Sequence, residues 1–217
     1  MKIETNNIVL HYTVRGAGAP LLLLHGNGED HSIFDALTSK LQNNFTVYAI
    51  DSRNHGMSSR TEDYSYAAMM EDIHQFIMTL KLQEASVIGF SDGAIIALLL
   101  QLKYPETFGK MVLLGINLKP SDFKAENLIY LKEEYEKTKD PLLKLMLEEP
   151  NIELESLRTI KTPTLVVRAE DELFDDELYS QITSVMPNAQ LLIMAEHSHD
   201  SYIVDNDALY DDLITFL

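Results

Sequence analysis

Short apolar runs alternate along the chain with longer segments in which apolar residues recur at helical spacing. The runs at 21–24 and Ser86–Phe90 are short, apolar and bounded by turn residues, which is typical of buried strands. Tyr66–Leu80 carries apolar residues three and four positions apart, which predicts an amphipathic helix. The alternation of the two patterns predicts an α/β fold, with a mostly parallel sheet flanked by helices.

The same patterns locate the remaining elements. The predicted strands are 8–14, 21–24, Phe45–Ile50, Ser86–Phe90, Met111–Leu114, 164–167 and 190–194. The predicted helices are 31–42, Tyr66–Leu80, 92–104, 126–137, 141–147, 175–186 and 208–217. No clear strand pattern is present between 116 and 160, so we interpret this stretch as a short helical lid. It interrupts a core formed by residues 1–115 and 161–217.

The net charge of −17, from 34 acidic and 17 basic residues, is the feature of the composition that most restricts the partners of the protein. Such a charge repels phosphate backbones and anionic lipid surfaces, so we expect neither a nucleic acid nor a membrane as partner. The apolar runs are far shorter than the ~18 residues that a membrane-spanning helix needs. Residues 1–7 lack the apolar core of a signal peptide, which predicts a cytoplasmic protein.

The sequence also lacks the common signatures of metal and cofactor sites. It contains no cysteine, which excludes disulfides, thiol nucleophiles and thiolate metal ligands. Neither a G-x-x-x-x-G-K loop nor a G-x-G-x-x-G turn after the first strand is present. His197 and His199 lie beside Glu196 and Asp200, but no further set of ligands with zinc-like spacing accompanies them. We therefore expect no metal and no cofactor.

The segment Gly89-Phe90-Ser91-Asp92-Gly93 follows a predicted strand and begins a predicted helix. Small residues on both sides allow the chain to turn sharply, which makes the Ser91 hydroxyl project from the end of the sheet. The helix that follows presents free N–H groups, which favour a nearby oxyanion. This arrangement predicts a nucleophilic serine. The alternative is an ordinary strand-to-helix turn in which Ser91 caps the helix.

With these motifs the chain resembles the α/β-hydrolase superfamily over nearly its whole length, most weakly between 116 and 160. It is most similar to small bacterial members that carry His-Gly-Asn-Gly at 25–28, a D-x-R-x-H-G-x-S loop at 51–58 and Gly-Phe-Ser-Asp-Gly at 89–93. The resemblance implies an α/β-hydrolase fold and a serine hydrolase in which Ser91 attacks a carbonyl carbon. Asn54 stands where the family usually has glycine, and asparagine tolerates positive φ better than other residues with a side chain.

The resemblance also implies an oxyanion hole, which consists of two N–H donors directed at the oxygen of the tetrahedral intermediate. One is the backbone N–H of Asp92, the residue after the nucleophile, and the other is the backbone N–H of Asn27. His25 and His55 are interpreted as structural residues of the two loops. The Asp92 carboxylate is stabilised at the start of a helix, and the alternative is that it faces the pocket and pairs with a cationic group of the substrate.

The catalytic base and acid follow the nucleophile in the order serine, acid, histidine. By the resemblance, the base lies three residues before an aromatic residue, here Tyr202, so His199 is favoured over His197. For the acid, the register counted from Pro163 and from Pro187 leads to Glu172. The acid is usually aspartate in the family, so the adjacent Asp171 remains open as an alternative.

The expected function is hydrolysis of a small carboxylic ester or a related acyl substrate through an acyl-enzyme intermediate. A short lid favours an open pocket and small acyl groups. The same residues serve thioesters, lactones, amides, carbon–carbon bonds and perhydrolysis in this superfamily. A receptor without catalytic activity, which binds a small ligand on the same fold, is the alternative from a different functional class.

Overall fold

The computed structural model describes residues 1–82 and 84–217 and is built around one twisted sheet. The eight strands of the described residues follow the order β1-β2-β4-β3-β5-β6-β7-β8. The pairs β1–β2 and β2–β4 are antiparallel, and every following pair in this order, from β4–β3 to β7–β8, is parallel. The strands are β1 Lys2–Thr5, β2 Ile8–Arg15, β3 Ala19–Leu24, β4 Phe45–Ile50, β5 Ser86–Phe90, β6 Met111–Leu114, β7 Thr164–Asp171 and β8 Ala189–Ser198.

Helices cover both faces of the sheet. They are α1 Asp35–Leu41, α2 Tyr66–Leu80, α3 Asp92–Lys103, α4 Ala125–Thr138, α5 Pro141–Glu148, α6 Asp176–Val185 and α7 Tyr210–Phe216. Buried side chains of α1 and α7 belong to one hydrophobic cluster, and those of α2, α3 and α6 belong to another. Each face of the sheet therefore has its own core. In the described part of the chain, no helix combines the length and the apolar character that crossing a membrane requires.

The predicted mostly parallel sheet flanked by helices is confirmed, with differences at the ends of elements. The predicted helix 31–42 is a 3-10 turn, His31–Phe34, followed by α1. β1 was not predicted because it is short and polar and lies at an edge of the sheet. β7 and β8 continue to Asp171 and Ser198, beyond the apolar runs that predicted them. Their extensions contain polar, partly exposed residues, which apolar patterning does not reveal.

Residues 116–160, interpreted above as a lid, contain α4, α5 and two 3-10 turns, Pro120–Asp122 and Leu154–Thr159. Asp140 begins α5 by accepting a hydrogen bond from the N–H of Leu142 (2.8 Å), and Pro141 occupies the first helical position. Both choices are typical helix starts. On α5, Leu145 is buried in the core, and Leu143 packs against it.

The loop after β4 is fixed by a buried ion pair. Arg53 donates through Nε and Nη2 to the two carboxylate oxygens of Asp72 on α2, at 2.6 and 2.7 Å. Both side chains are nearly inaccessible to solvent, and Asn6 donates a further hydrogen bond to Asp72 (2.9 Å). Next to Arg53, Asn54 has a φ of +66°, as its replacement of glycine predicted. The pair therefore holds this loop, with Asn54 in its left-handed backbone conformation, against α2.

Replacing Asp72 with alanine should lower the free energy of unfolding by about 3–5 kcal/mol, because it leaves the buried Arg53 guanidinium with only the exposed and more distant Asp63 carboxylate (3.7 Å) as a partner. Chemical denaturation at neutral pH measures this change. Glu136→Ala is the matched control, since it removes the exposed ion pair with Lys139, and it should leave the midpoint nearly unchanged. Equal destabilisation by the two variants would contradict the assignment.

Candidate active site

Ser91 lies in a strained turn between β5 and α3. Its φ and ψ are 51° and −113°, a conformation that a residue with a side chain rarely adopts. A Cβ atom on Gly89 would lie 2.4 Å from the carbonyl oxygen of Gly93, and one on Gly93 would lie 2.0 Å from that of Leu24. No residue with a Cβ atom fits at either position, because the backbone of a neighbouring segment already occupies that space. The N–H of Ser91 donates to the carbonyl of Leu114 (2.8 Å), which anchors the turn to β6.

His199 is held in place by packing on three sides. A Cβ atom on Gly115, which has a φ of +56°, would lie 2.6 Å from the imidazole Cε1, so the ring lies directly against this glycine. The rings of Phe90 and Phe174 lie with their centroids 5.0 and 5.6 Å from that of His199. On the remaining side, Nδ1 forms a short hydrogen bond to Oε1 of Glu172.

Glu172 is only 2% exposed and comes directly after β7. Burial by itself would raise the pKa of its carboxyl group, but hydrogen bonds from His199 and from the backbone N–H groups of Leu173 (2.8 Å) and Ala169 (3.2 Å) hold the pKa below its usual value. The carboxylate therefore stays ionised beside the imidazole near neutral pH.

The alternatives to these two residues lie elsewhere. The side chain of Asp171 is exposed, and its backbone pairs with Ser198 across the extension of β7 and β8. The Nδ1 atom of His197 is 2.9 Å from the hydroxyl oxygen of Ser201. The structure thus brings together His199 and Glu172, each of which is the first residue after one of two paired strands.

The Asn27 side chain joins the two residues expected to form the oxyanion hole. Its Nδ2 atom donates to Oδ2 of Asp92 (2.9 Å) and to the carbonyl oxygen of Leu142 in α5 (3.3 Å). The other oxygen of Asp92 accepts a hydrogen bond from the hydroxyl of Tyr66 (2.7 Å). Burial raises the pKa of Asp92, which is 4% exposed, despite these two donors. The sequence does not reveal these contacts of the Asn27 side chain, because its partners are remote in the chain.

Two histidines connect the loops around the site. His25 donates from Nδ1 to the carbonyl of Gly26 (2.8 Å) and accepts the N–H of Ser52 at Nε2 (3.0 Å). His55 accepts the N–H of Gly28 at Nε2 (3.1 Å). Burial, together with the neighbouring His55, lowers the pKa of His25 to about 4. A neutral His25 is the form that these contacts require, since it both donates and accepts.

Ser91 and His199 line one cavity of about 400 Å³. Its apolar wall comes largely from α5, through Leu142, Leu143 and Met146. Its polar wall includes Glu29, Asp140 and Asp200. Glu29 was not identified from the sequence, although its place four residues after His25, in the oxyanion loop, was the available signal. A second, much smaller cavity borders Ser91 and Asp92 on the inner side.

One group of described residues has the composition of a metal site. The Nδ1 atoms of His11 and His31 lie 2.9 and 2.6 Å from the two carboxylate oxygens of Asp51. The same oxygens accept the backbone N–H groups of His31 and Met57, both at 2.9 Å. These hydrogen bonds explain why the three side chains lie together: they support the loop after β4.

Comparison with known proteins agrees with this fold. Residues 19–140 match the family described as alpha/beta hydrolase fold, which is more than half of the chain. The protein belongs to the α/β-hydrolase family. It is 35% identical to a protein named uncharacterized hydrolase YraK from Bacillus subtilis (strain 168). This match extends over 106 residues, which are 48% of this chain and 39% of the relative. It is 27% identical to the serine hydrolase BPHL of Homo sapiens, over 93% of this chain and 80% of BPHL. The chain spans only 31–40% of the length of several other curated relatives.

Solved structures share the fold over nearly the full chain. An esterase from Exiguobacterium antarcticum has a TM-score of 0.86 at 17% identity, covering 99% of this chain and 98% of its own. Est816, described as an N-acyl homoserine lactone degrading enzyme, has a TM-score of 0.84 at 20% identity and covers both chains completely. A meta-cleavage product hydrolase from Pseudomonas fluorescens IP01 has a TM-score of 0.82 at 20% identity, over 100% of this chain and 96% of its own. The predicted α/β-hydrolase fold is confirmed.

Replacing Gly115 with alanine should displace the His199 ring, because the new methyl group would overlap it. We expect the rate at which a fluorophosphonate probe labels Ser91 to fall at least about tenfold, since a displacement near 1 Å in a catalytic group has effects of this order or larger. The control is Gly109→Ala, which adds the same methyl group just before the opposite end of β6. Its Cβ atom would lie 2.7 Å from the carbonyl oxygen of Glu84. Similar losses of labelling in two folded variants would refute the role of Gly115.

Proposed function

We propose that this α/β hydrolase is a serine hydrolase of the carboxylesterase type that cleaves a small carboxylic ester or a related acyl substrate. The observation that carries the proposal is the constellation in one cavity: Ser91 on a strained elbow and His199 bonded to the buried Glu172. Nucleophile, base and acid in this order are typical of ester hydrolysis on this fold.

In the proposed acylation, Oγ of Ser91 bonds to the carbonyl carbon while Nε2 of His199 takes the hydroxyl proton. Glu172 accepts the Nδ1–H bond, which keeps the correct tautomer and stabilises the imidazolium. The negative charge that develops on the carbonyl oxygen is held by the N–H groups of Asn27 and Asp92. The tetrahedral intermediate then collapses, the bond to the leaving oxygen breaks, and His199 protonates that oxygen.

Deacylation repeats these steps with water. His199 removes a proton from the water molecule as its oxygen attacks the acyl carbon, and the oxyanion forms in the same place. When the intermediate collapses, the bond to Oγ of Ser91 breaks and His199 returns the proton to that oxygen. The products are a carboxylic acid and the free enzyme, so no cofactor takes part in this scheme.

The cavity supports a preference for short acyl groups. Its volume of about 400 Å³ is near the lower end of the range for small-molecule sites. The apolar side chains of Leu142, Leu143 and Met146 on α5 form a wall against which a short alkyl chain would pack. A lactone is the second candidate substrate, since it is an internal ester and Est816, which shares the fold, is described as degrading one.

Ser91→Ala should reduce hydrolysis of a short p-nitrophenyl ester by about 10⁴-fold or more while the fold is retained, because the alanine cannot form the acyl-enzyme. Initial rates across esters of two to eight carbons, with a γ-lactone alongside, measure this loss and the chain-length preference. Circular dichroism and thermal melting of the variant verify the fold.

Retention of more than a few per cent of the activity by Ser91→Ala would exclude Ser91 as the nucleophile. If the wild-type protein hydrolyses none of these substrates and a fluorophosphonate fails to label it, the proposal is wrong. A receptor that binds a small ligand without catalysis would then be the better interpretation.

Glu172→Gln should reduce kcat by roughly 10³-fold, because it removes the charge that stabilises the imidazolium but keeps the size of the side chain. Asp171→Asn is the matched control: it removes the same charge one residue away, on an exposed side chain, and should retain most of the activity. Steady-state kinetics on the best ester of the panel measure both. A larger loss in Asp171→Asn would transfer the acid to that residue.

A further inference from the structure

Glu29 places a carboxylate beside the candidate nucleophile. Its Oε2 atom accepts a hydrogen bond from the backbone N–H of Gly26 (2.9 Å), which folds the side chain back over the oxyanion loop. A Cβ atom built on Gly26 would lie 2.7 Å from this oxygen and 3.2 Å from Cβ of Ser91. The carboxylate and the serine are therefore close neighbours, and both line the 400 Å³ cavity.

The groups that face Glu29 give it little compensation for its charge. His199 and Asp200 face it from the end of β8, and Asp92 from the start of α3. Asp140 lines the same cavity, and none of the described residues that line it is lysine or arginine. Burial raises the pKa of Glu29 to about 7, against the opposing effect of the Gly26 N–H and His199. Glu29 is therefore mostly neutral at pH 6 and mostly ionised at pH 8.

We propose that Glu29 determines the specificity of the site, and that its carboxylate excludes acyl substrates that carry an anionic group while neutral ones are accepted. This inference rests on the proposed hydrolase function and names the charge class of its substrates. The repulsion acts between the Glu29 carboxylate and the anionic group of the substrate, and it is strengthened by the partly buried setting, where charges are screened less than at the surface. When Glu29 is protonated, the exclusion is relieved.

Glu29→Gln separates the charge of this residue from its structural role. The glutamine carbonyl still accepts the Gly26 N–H, so the fold of the loop is kept while the negative charge is removed. Glu4→Gln is the control, because it changes the net charge equally at an exposed position on β1.

The test compares methyl butyrate with monomethyl succinate, whose acyl groups both have four carbons and differ in a terminal methyl or carboxylate. The succinate remains ionised from pH 6 to pH 8. The readout is the ratio of kcat/KM for the anionic ester to that for the neutral ester. Effects shared by both substrates, such as a general change at the oxyanion hole, cancel in this ratio.

In the wild-type protein we expect the ratio to be about fivefold higher at pH 6 than at pH 8, from a charge effect of about tenfold. In Glu29→Gln the ratio should rise about fivefold at pH 8, to near the wild-type value at pH 6, and lose its dependence on pH, and Glu4→Gln should behave like the wild type.

A ratio that does not depend on pH in the wild type would overturn the inference without any variant. An unchanged ratio in Glu29→Gln would do the same. In both cases Ser91-dependent hydrolysis of methyl butyrate would leave the proposed function intact. If neither ester nor the p-nitrophenyl panel is hydrolysed, and Ser91→Ala does not differ from the wild type, the hydrolase proposal itself fails and this inference fails with it.

Discussion

The arrangement of the site depends on the close approach of three backbone segments at the end of the sheet. The start of α3 touches the end of β3 so closely that Gly93 has no room for a Cβ atom, and the same is true of Gly89 against Gly93. This contact forces the positive φ of Ser91 and directs its side chain out of the sheet. It also brings the loop after β3, which holds Asn27, next to the first turn of α3. The proposed nucleophile Ser91 and the expected oxyanion donors are thus positioned by one steric constraint.

A second constraint joins the distant half of the chain to this point. β7 and β8 run side by side past the other strands, and Glu172 and His199 are the residues that immediately follow their ends. The chain separates these two residues by almost thirty positions, but strand pairing fixes their distance. At the end of β6, Gly115 has no side chain, so the His199 imidazole packs directly against its backbone. The parallel sheet therefore sets the distance between residues that lie on different loops.

Much of this was available from the sequence, because the strongest signals are local. The elbow could be predicted since Gly89 and Gly93 are needed by the turn itself, and the buried strands could be predicted from their apolar runs. The sequence leaves both Asp171 and Glu172 open as the acid, because both carry a carboxylate and the direction of each side chain is not visible in the sequence. That direction depends on the irregular pairing of β7 with β8 near Ala169. The bonds of Asn27 to Asp92 and of Glu29 to Gly26 have no pattern in the sequence, since each depends on folded loop geometry.

The hydrogen bond from Asn27 to the carbonyl of Leu142 has a consequence for how such an enzyme diversifies. The helix that forms the apolar wall of the cavity is bonded to the loop expected to stabilise the oxyanion. A substitution on α5 that moves the backbone at Leu142 would therefore also move the loop that holds Asn27. In the proposed hydrolase, selection for a new acyl group would alter the rate of the chemical step together with affinity, so that substrate range and catalytic rate would evolve as linked traits.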